Sequence, residues 1–169
     1  CSATSRVYVP SHLYGELFSE IVSILSNLKV GSPEENDTFT SAVINRRAYE
    51  NNKDAIKRFD AQSQMVYGGE YSDNVGYYVQ PTIFKHENYN HQIMNEEVFG
   101  PILHIYAYND VDDALRLCAH NNYGLTGSIF TEDVQNVMYA DKYLKDSCGN
   151  LYINDKCTGS VVYQQPFGG

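Results

Sequence analysis

Apolar residues follow two different periods along the chain, one typical of strands and the other of helices. Short β-prone runs occupy residues 5–9, 65–67, 77–79, 82–84, 101–108, 126–130 and 151–153. Apolar residues recur every three or four positions over 11–28, 46–62, 111–122 and 134–147, which predicts helices there. Because strands alternate with helices, we predict an α/β layered domain with a mainly parallel twisted sheet flanked by helices.

Polar and turn residues predict where several of these elements begin and end. Pro10 stops the first strand, and residues 29–33 end the first helix before a polar stretch at 34–41 that we predict to be a surface loop. Asp110 and Asp133 stand where carboxylates can cap the last two helices. The second helix is polar outside a few apolar positions, so we expect it to face solvent. Without a repeat or a linker, the sequence indicates one domain.

The charge and the hydropathy of the chain exclude several classes of partner. Lys and Arg number 12 against 21 Asp and Glu, so the formal net charge is −9. An acidic surface repels phosphate backbones, and we find no basic cluster with interleaved aromatics, so we expect no nucleic-acid partner. No apolar run approaches the roughly 20 residues of a membrane span. The five histidines lack the spacing of metal ligands, so we predict surface or incidental roles for them and no metal site.

Four cysteines fit neither zinc-ribbon nor redox-motif spacing, which favours a reducing compartment. Cys118 lies in a helical apolar pattern and is expected to be buried. Cys1 precedes a strand and small residues, where a thiolate could attack a carbonyl group. Two alternatives also use this position: an N-terminal cysteine hydrolase with its α-amino group as base, and a non-enzymatic binding module that carries lipid on the cysteine.

Two further segments carry candidate chemistry. In residues 96–101, the Glu97 carboxylate can accept hydrogen bonds from a diol while Phe99 packs on a flat ligand, as in dinucleotide sites. After the last strand, Gly159 and Ser160 offer consecutive backbone N–H groups and a hydroxyl to an anion such as a carboxylate. Phe167 could add an aromatic wall. Ordinary polar turns remain open alternatives for both segments.

Four motifs taken together resemble the aldehyde dehydrogenase superfamily. They are Cys1, residues 96–101 (Glu-Glu-Val-Phe-Gly-Pro), residues 122–126 (Asn-Tyr-Gly-Leu-Thr) and residues 166–169 (Pro-Phe-Gly-Gly). Their order resembles the catalytic half of these enzymes. Residues 152–156, 158–160 and 164–169 are similar to the mitochondrial delta-1-pyrroline-5-carboxylate dehydrogenases. The chain departs from that group at Thr4, Cys157 and Tyr163, where Cys, Ser and Gly are expected.

The resemblance implies a role for each candidate residue. Cys1 is the nucleophile that attacks L-glutamate 5-semialdehyde, and the product is L-glutamate. Glu97 and Phe99 hold the nicotinamide ribose of NAD. Gly159 and Ser160 anchor the α-carboxylate of the substrate, and Phe167 walls its aliphatic chain.

The resemblance also implies what surrounds these residues in the whole enzyme. The NAD-binding domain and an asparagine of the oxyanion hole precede the cysteine in this family. Residues 1–169 are therefore expected to be part of a catalytic domain, cut from a larger protein and inactive alone. The parent protein is expected to be a homo-oligomer of the mitochondrial matrix, acting on a small molecule in proline degradation.

Overall fold

A computed structural model describes residues 2–158 of the chain. Its strands are β1 (Arg6–Pro10), β2 (Lys29–Val30), β3 (Thr38–Thr40), β4 (Gln64–Tyr67), β5 (Tyr71–Ser72), β6 (Tyr78–Val79), β7 (Thr82–His86), β8 (Ile102–Tyr108), β9 (Thr126–Ile129) and β10 (Asn150–Ile153). Its helices are α1 (Tyr14–Leu25), α2 (Arg46–Asp60), α3 (His91–Met94), α4 (Val111–Ala119) and α5 (Val134–Leu144). The chain divides into two compact units, which we call the sheet unit (Ser5–Ala107) and the loop unit (residues 2–4 with 108–158). The prediction of one catalytic domain stays a prediction.

A four-stranded sheet in the order β1-β8-β7-β4 forms the centre of the sheet unit. β7 and β8 are parallel, with Thr82 opposite Ile102 and His86 opposite Tyr106. β4 joins the sheet antiparallel to β7 at one edge. In the loop unit β9 and β10 are parallel. The predicted α/β layered architecture with a mainly parallel sheet is confirmed.

Helices cover both faces of the central sheet because neighbouring strand residues point to opposite sides. Phe84 of β7 packs in one apolar cluster with Ile56 and Phe59 of α2. Its neighbour Ile83 packs in a second cluster with Ile105, against side chains of α1. The sheet therefore lies between α1 and α2, which makes three layers.

α1 and the segment that follows it differ from their predicted forms. α1 ends at Leu25, and Lys29–Val30, in the stretch predicted to end the helix, pairs in parallel with Thr38–Thr40, in the segment predicted to be a loop. α2 is amphipathic: its apolar side is buried, and most of its polar remainder is exposed, as expected. The side chain of Asn45 begins α2 by accepting a hydrogen bond from the Ala48 backbone N–H at 2.9 Å.

Both predicted aspartate caps are confirmed in the loop unit. Asp110 accepts a hydrogen bond from the Asp112 backbone N–H at the start of α4, and Asp133 accepts one from the Gln135 N–H at the start of α5, both at 2.8 Å. Cys118 on α4 is half-buried, so the prediction of a buried thiol is wrong. In the described part of the chain, no helix is long and apolar enough to cross a membrane.

Two of the five histidines, for which surface or incidental roles were expected, are buried. His86 of β7 and His104 of β8 are both 2% exposed, and their rings meet through a 3.0 Å hydrogen bond between Nε2 and Nδ1. The parallel register of β7 and β8 brings these residues to one face of the sheet, beside the rings of Phe59 and Phe84. Burial, with smaller contributions from His86 and Arg6, lowers the pKa of His104 to about 3, and burial also lowers the pKa of His86.

This pair predicts that the folded protein loses stability in mild acid. The unfolded histidines bind protons below their ordinary pKa of 6.5, whereas the folded pair resists protonation. The contribution of the neutral His86–His104 pair to the stability of the fold is therefore complete above pH 6.5 and is lost as the pH falls toward the pKa values of the folded state. We expect the free energy of unfolding to fall by about 1–2 kcal/mol between pH 7 and pH 5.

Urea unfolding at several pH values checks this prediction. His86→Gln combined with His104→Asn is the control, because the two amides replace the bonded ring nitrogens with groups that do not titrate. The control should show a flatter pH dependence than the unsubstituted protein. Equal slopes in both proteins would contradict the assignment.

Candidate functional site

The segment 96–101 connects α3 to β8 and is tied to α2 by an ion pair. Arg58 of α2 donates to both carboxylate oxygens of Glu96, with N–O distances of 2.6 and 3.0 Å. This hydrogen bonding raises the pKa of Arg58, which stays charged. A bidentate Arg–carboxylate pair fixes the orientation of the carboxylate as well as its distance, so it restrains the backbone at residue 96.

Glu97 follows directly and has a different environment. It lines an open cleft of about 400 Å³ together with Val98 and with side chains on one face of α2. Glu97 is half-buried as a whole residue, and its carboxylate has no hydrogen bond or ion pair to any of the residues described between 2 and 158. Glu96 is therefore occupied by Arg58, whereas the acceptor oxygens of Glu97 are available to a ligand.

Phe99 presents its ring to the outside from an unusual backbone conformation. Its φ is +54°, in the left-handed region that a non-glycine residue adopts at a cost, and the residue is 66% exposed. The ring thus gains little from packing within the described part of the chain. An exposed aromatic ring one residue beyond Val98 and two beyond a free carboxylate suits a ligand that has both a flat apolar face and hydroxyl groups.

Gly100 provides a second attachment between this segment and α2. A Cβ atom at Gly100 would overlap the carboxamide of Asn52, which is fully buried. Asn52 is held in turn by its Nδ2, which donates to the Ala48 carbonyl at 2.9 Å. Only glycine allows this approach of the segment to the helix, so α2 restrains both ends of the stretch that contains Glu97 and Phe99.

In the loop unit, the residues that flank two predicted site segments contact each other. Cys157 Sγ lies 3.2 Å from the Thr4 hydroxyl and 3.8 Å from the Ser2 carbonyl oxygen. Ser2 follows Cys1 directly, and Cys157 stands two residues before Gly159. Thr4 and Cys157, two of the three positions where the chain departs from the dehydrogenases it resembles, are thus partners.

The chain after β10 is fixed to the end of β9. Asn154 has a φ of +54°, its Oδ1 accepts from the Thr131 backbone N–H at 2.8 Å, and its Nδ2 donates to the Thr131 carbonyl at 2.9 Å. The Ser128 hydroxyl donates to the carbonyl of Asp155. These bonds determine where the segment that leads to Gly159 leaves the sheet.

Glu97 and Phe99 are the predicted site residues that the structure describes, and it brings them together on one segment. Cys1, Gly159, Ser160 and Phe167 lie outside the described residues. Sequence reasoning missed Arg58 and Asn52 because each meets its partner across 38 or more positions. The sequence shows that the helix predicted over 46–62 is strongly polar, but its composition does not indicate which of its residues contact the segment 96–101.

The comparisons with known proteins agree with these observations. A model of the aldehyde dehydrogenase family matches residues 1–169. The chain is similar to the mitochondrial delta-1-pyrroline-5-carboxylate dehydrogenases of Dictyostelium discoideum (40% identity) and Homo sapiens (42%), with all of this chain and 31% of each relative covered. It also superimposes on the delta-pyrroline-5-carboxylate dehydrogenase of Mycobacterium tuberculosis bound with NAD and cobalamin, with a TM-score of 0.91, 34% identity, and 99% of this chain and 32% of that chain covered.

The chain therefore belongs to the aldehyde dehydrogenase family, as its motifs predict. It spans about a third of the length of the relatives it matches.

The described part of the site fits the nicotinamide end of a dinucleotide. Ribose presents two neighbouring hydroxyl donors, and the Glu97 carboxylate offers acceptors that no described residue occupies. The exposed ring of Phe99 offers a flat apolar surface nearby. The chemistry of these two side chains thus matches the group that the family implies.

We predict that Gly100→Ala destabilises the protein by about 1–3 kcal/mol, the usual cost of overpacking. The new methyl group would meet the Asn52 carboxamide, which cannot move without losing its bond to Ala48. Gly15→Ala is the matched control, because nothing lies within 4 Å of a Cβ at Gly15. The thermal midpoint should fall for Gly100→Ala and stay equal or rise for Gly15→Ala; similar midpoints would contradict the close approach.

Proposed function

We propose that this chain is the cysteine-bearing part of an NAD-dependent dehydrogenase that oxidises L-glutamate 5-semialdehyde to L-glutamate in proline degradation. This semialdehyde is the hydrolysed form of 1-pyrroline-5-carboxylate. The contact of Cys157 with Ser2 and Thr4 carries the proposal. It joins the chain that follows Cys1 to the chain that precedes Gly159 and Ser160, which supports a shared site for the nucleophile and the carboxylate anchor. Similarity to dehydrogenases named for this substrate supports the same conclusion.

Cys1 supplies the covalent chemistry. Its thiolate adds to the aldehyde carbon and forms a tetrahedral thiohemiacetal. Loss of hydride from that carbon leaves a thioester on Cys1. Water then attacks the thioester carbonyl, which releases glutamate and returns the thiol.

The opposite end of the substrate is held by the segment after β10. Gly159 and Ser160 bind the α-carboxylate through backbone N–H groups and the serine hydroxyl, and Phe167 covers the methylene groups between the two ends. The bonds of Asn154 to Thr131 and of Ser128 to Asp155 support this role, since they fix the start of the segment. An aliphatic aldehyde without a carboxylate leaves these donors unpaired and is expected to bind more weakly.

Glu97 and Phe99 hold the nicotinamide ribose. The free carboxylate of Glu97 accepts from the ribose hydroxyls, and the ring of Phe99 packs beside them. When bound, NAD supplies the acceptor for the hydride. The accessible position of both side chains in the sheet unit supports this assignment.

The remaining features of the parent enzyme follow from the same resemblance. The family implies an NAD-binding domain and an oxyanion-hole asparagine ahead of Cys1, so residues 1–169 are one part of the catalytic machinery. The enzyme acts in the mitochondrial matrix as a homo-oligomer. The names of the Dictyostelium and human relatives, which include the word mitochondrial, support the location.

The first test measures NADH formation from 1-pyrroline-5-carboxylate by the protein extended upstream to its native start. We expect turnover that Cys1→Ala abolishes, because the thiolate forms the covalent intermediate. Cys118→Ser is the matched control, since it removes a half-buried thiol on α4 and should retain turnover.

The aldehyde used in this assay separates the alternatives. Turnover of simple aliphatic aldehydes but not of glutamate semialdehyde would keep the family chemistry and overturn the roles of Gly159 and Ser160. Amide hydrolysis without NAD would instead favour the N-terminal cysteine hydrolase. A lipid mass on Cys1 with no turnover would favour the binding module.

Residues 1–169 alone are expected to form no NADH. A cofactor domain and the oxyanion-hole asparagine are both needed, and the loss of one such donor costs a factor on the order of 100 or more in rate. A direct spectrophotometric assay of the purified chain at high protein concentration checks this. Detectable NAD-dependent turnover would show that the chain carries a complete site.

A further inference from the structure

Arg58 lies beside the candidate cofactor residues, but its guanidinium is already paired with Glu96 and is not available to bind the cofactor directly. Both of its contacting nitrogens are engaged by Glu96, and Asp54, one turn earlier on α2, adds to the favourable electrostatic environment of the guanidinium. Arg58, Asp54 and Asn51 form the α2 side of the cleft that Glu97 lines. Its position thus suits a residue that acts through the segment 96–101.

The geometry of the Arg58–Glu96 pair suits it to orient the next residue, Glu97. Two parallel N–H donors on a planar guanidinium fix both the position and the plane of the Glu96 carboxylate. Glu97 follows Glu96 directly, so the restraint on Glu96 also limits where the backbone of Glu97 can lie, and Glu97 lines the same cleft as Arg58. At the other end, Gly100 packs on Asn52 of the same helix.

We propose that Arg58 is a positioning residue for cofactor binding, because its pair with Glu96 fixes the backbone from which Glu97 reaches the nicotinamide ribose. This inference rests on the role of Glu97 in the proposed function. The pair is partly exposed, with side-chain exposures of 48% and 32%, so its effect on global stability is small. Its effect on NAD affinity is larger, because a hydrogen bond to the ribose is sensitive to shifts of the Glu97 carboxylate by fractions of an ångström.

The experiment compares NAD affinity among variants of the whole enzyme, measured by quenching of protein fluorescence and by steady-state KM. Arg58→Met should weaken NAD binding by about threefold to fivefold, the range that a well-aligned exposed pair supplies. The NAD affinity of Arg58→Lys should lie between those of the unsubstituted enzyme and Arg58→Met, since lysine keeps the charge but loses the bidentate contact. The KM for the aldehyde should stay within about twofold, because that substrate is bound by other residues.

A matched control separates positioning from simple loss of a surface charge. Arg116→Met removes an arginine of α4 that pairs with Asp113 at 3.3 Å in a more exposed setting. It should leave NAD affinity unchanged. If Arg116→Met weakens NAD binding as much as Arg58→Met does, general electrostatics explains the effect and the proposal is overturned.

Double variants with Glu97→Gln distinguish failure of this inference from failure of the proposed function. If Arg58 acts through Glu97, Arg58→Met should cost little further affinity once Glu97→Gln is present. Fully additive losses would overturn positioning and assign Arg58 a direct contact. If Glu97→Gln weakens NAD binding but Arg58→Met does not, the inference fails and the ribose contact stands. If Glu97→Gln itself has no effect, the cofactor role of Glu97 fails first.

Discussion

The parallel pairing of β7 and β8 is the constraint on which the rest of the sheet unit depends. Parallel neighbours cannot be joined by a tight turn, so the chain must leave the end of β7 and return to the start of β8. Residues 87–101 make that return and contain only the four-residue helix α3. Glu97 and Phe99 therefore stand in a crossover connection, whose course is determined by the helix it crosses.

That helix, α2, contacts the sheet on one side and the crossover segment on another. Its apolar face packs on the sheet through Ile56 and Phe59, while Arg58 and Asn52 contact the crossover segment. The rigid contacts with the sheet hold the helix, and the helix in turn holds the segment. A partly exposed stretch of chain thus acquires a defined shape from a buried core, with no regular secondary structure of its own between residues 95 and 101.

The sequence predicts what depends on neighbours along the chain and misses what depends on distant partners. The caps at Asp110 and Asp133 are confirmed because a cap bonds to a backbone group two residues away. The β2–β3 ladder was missed because each strand is too short to show a period. The buried His86–His104 pair was missed because strand register sets it, and spacing along the chain does not contain register. At the site, motif resemblance predicts roles for Glu97 and Phe99, whereas the residues of α2 that hold the segment around them follow only from the tertiary contacts.

The backbone at Phe99 has a thermodynamic consequence. Glycine would adopt a φ of +54° with less strain, and a ring that is 66% exposed recovers little of the cost by burial. The unliganded fold is thus less stable here than it could be. A ligand that covers the ring supplies the missing burial, and by linkage it stabilises the folded chain as its concentration rises above its dissociation constant. Binding of such a ligand would therefore raise the resistance of the whole unit to unfolding.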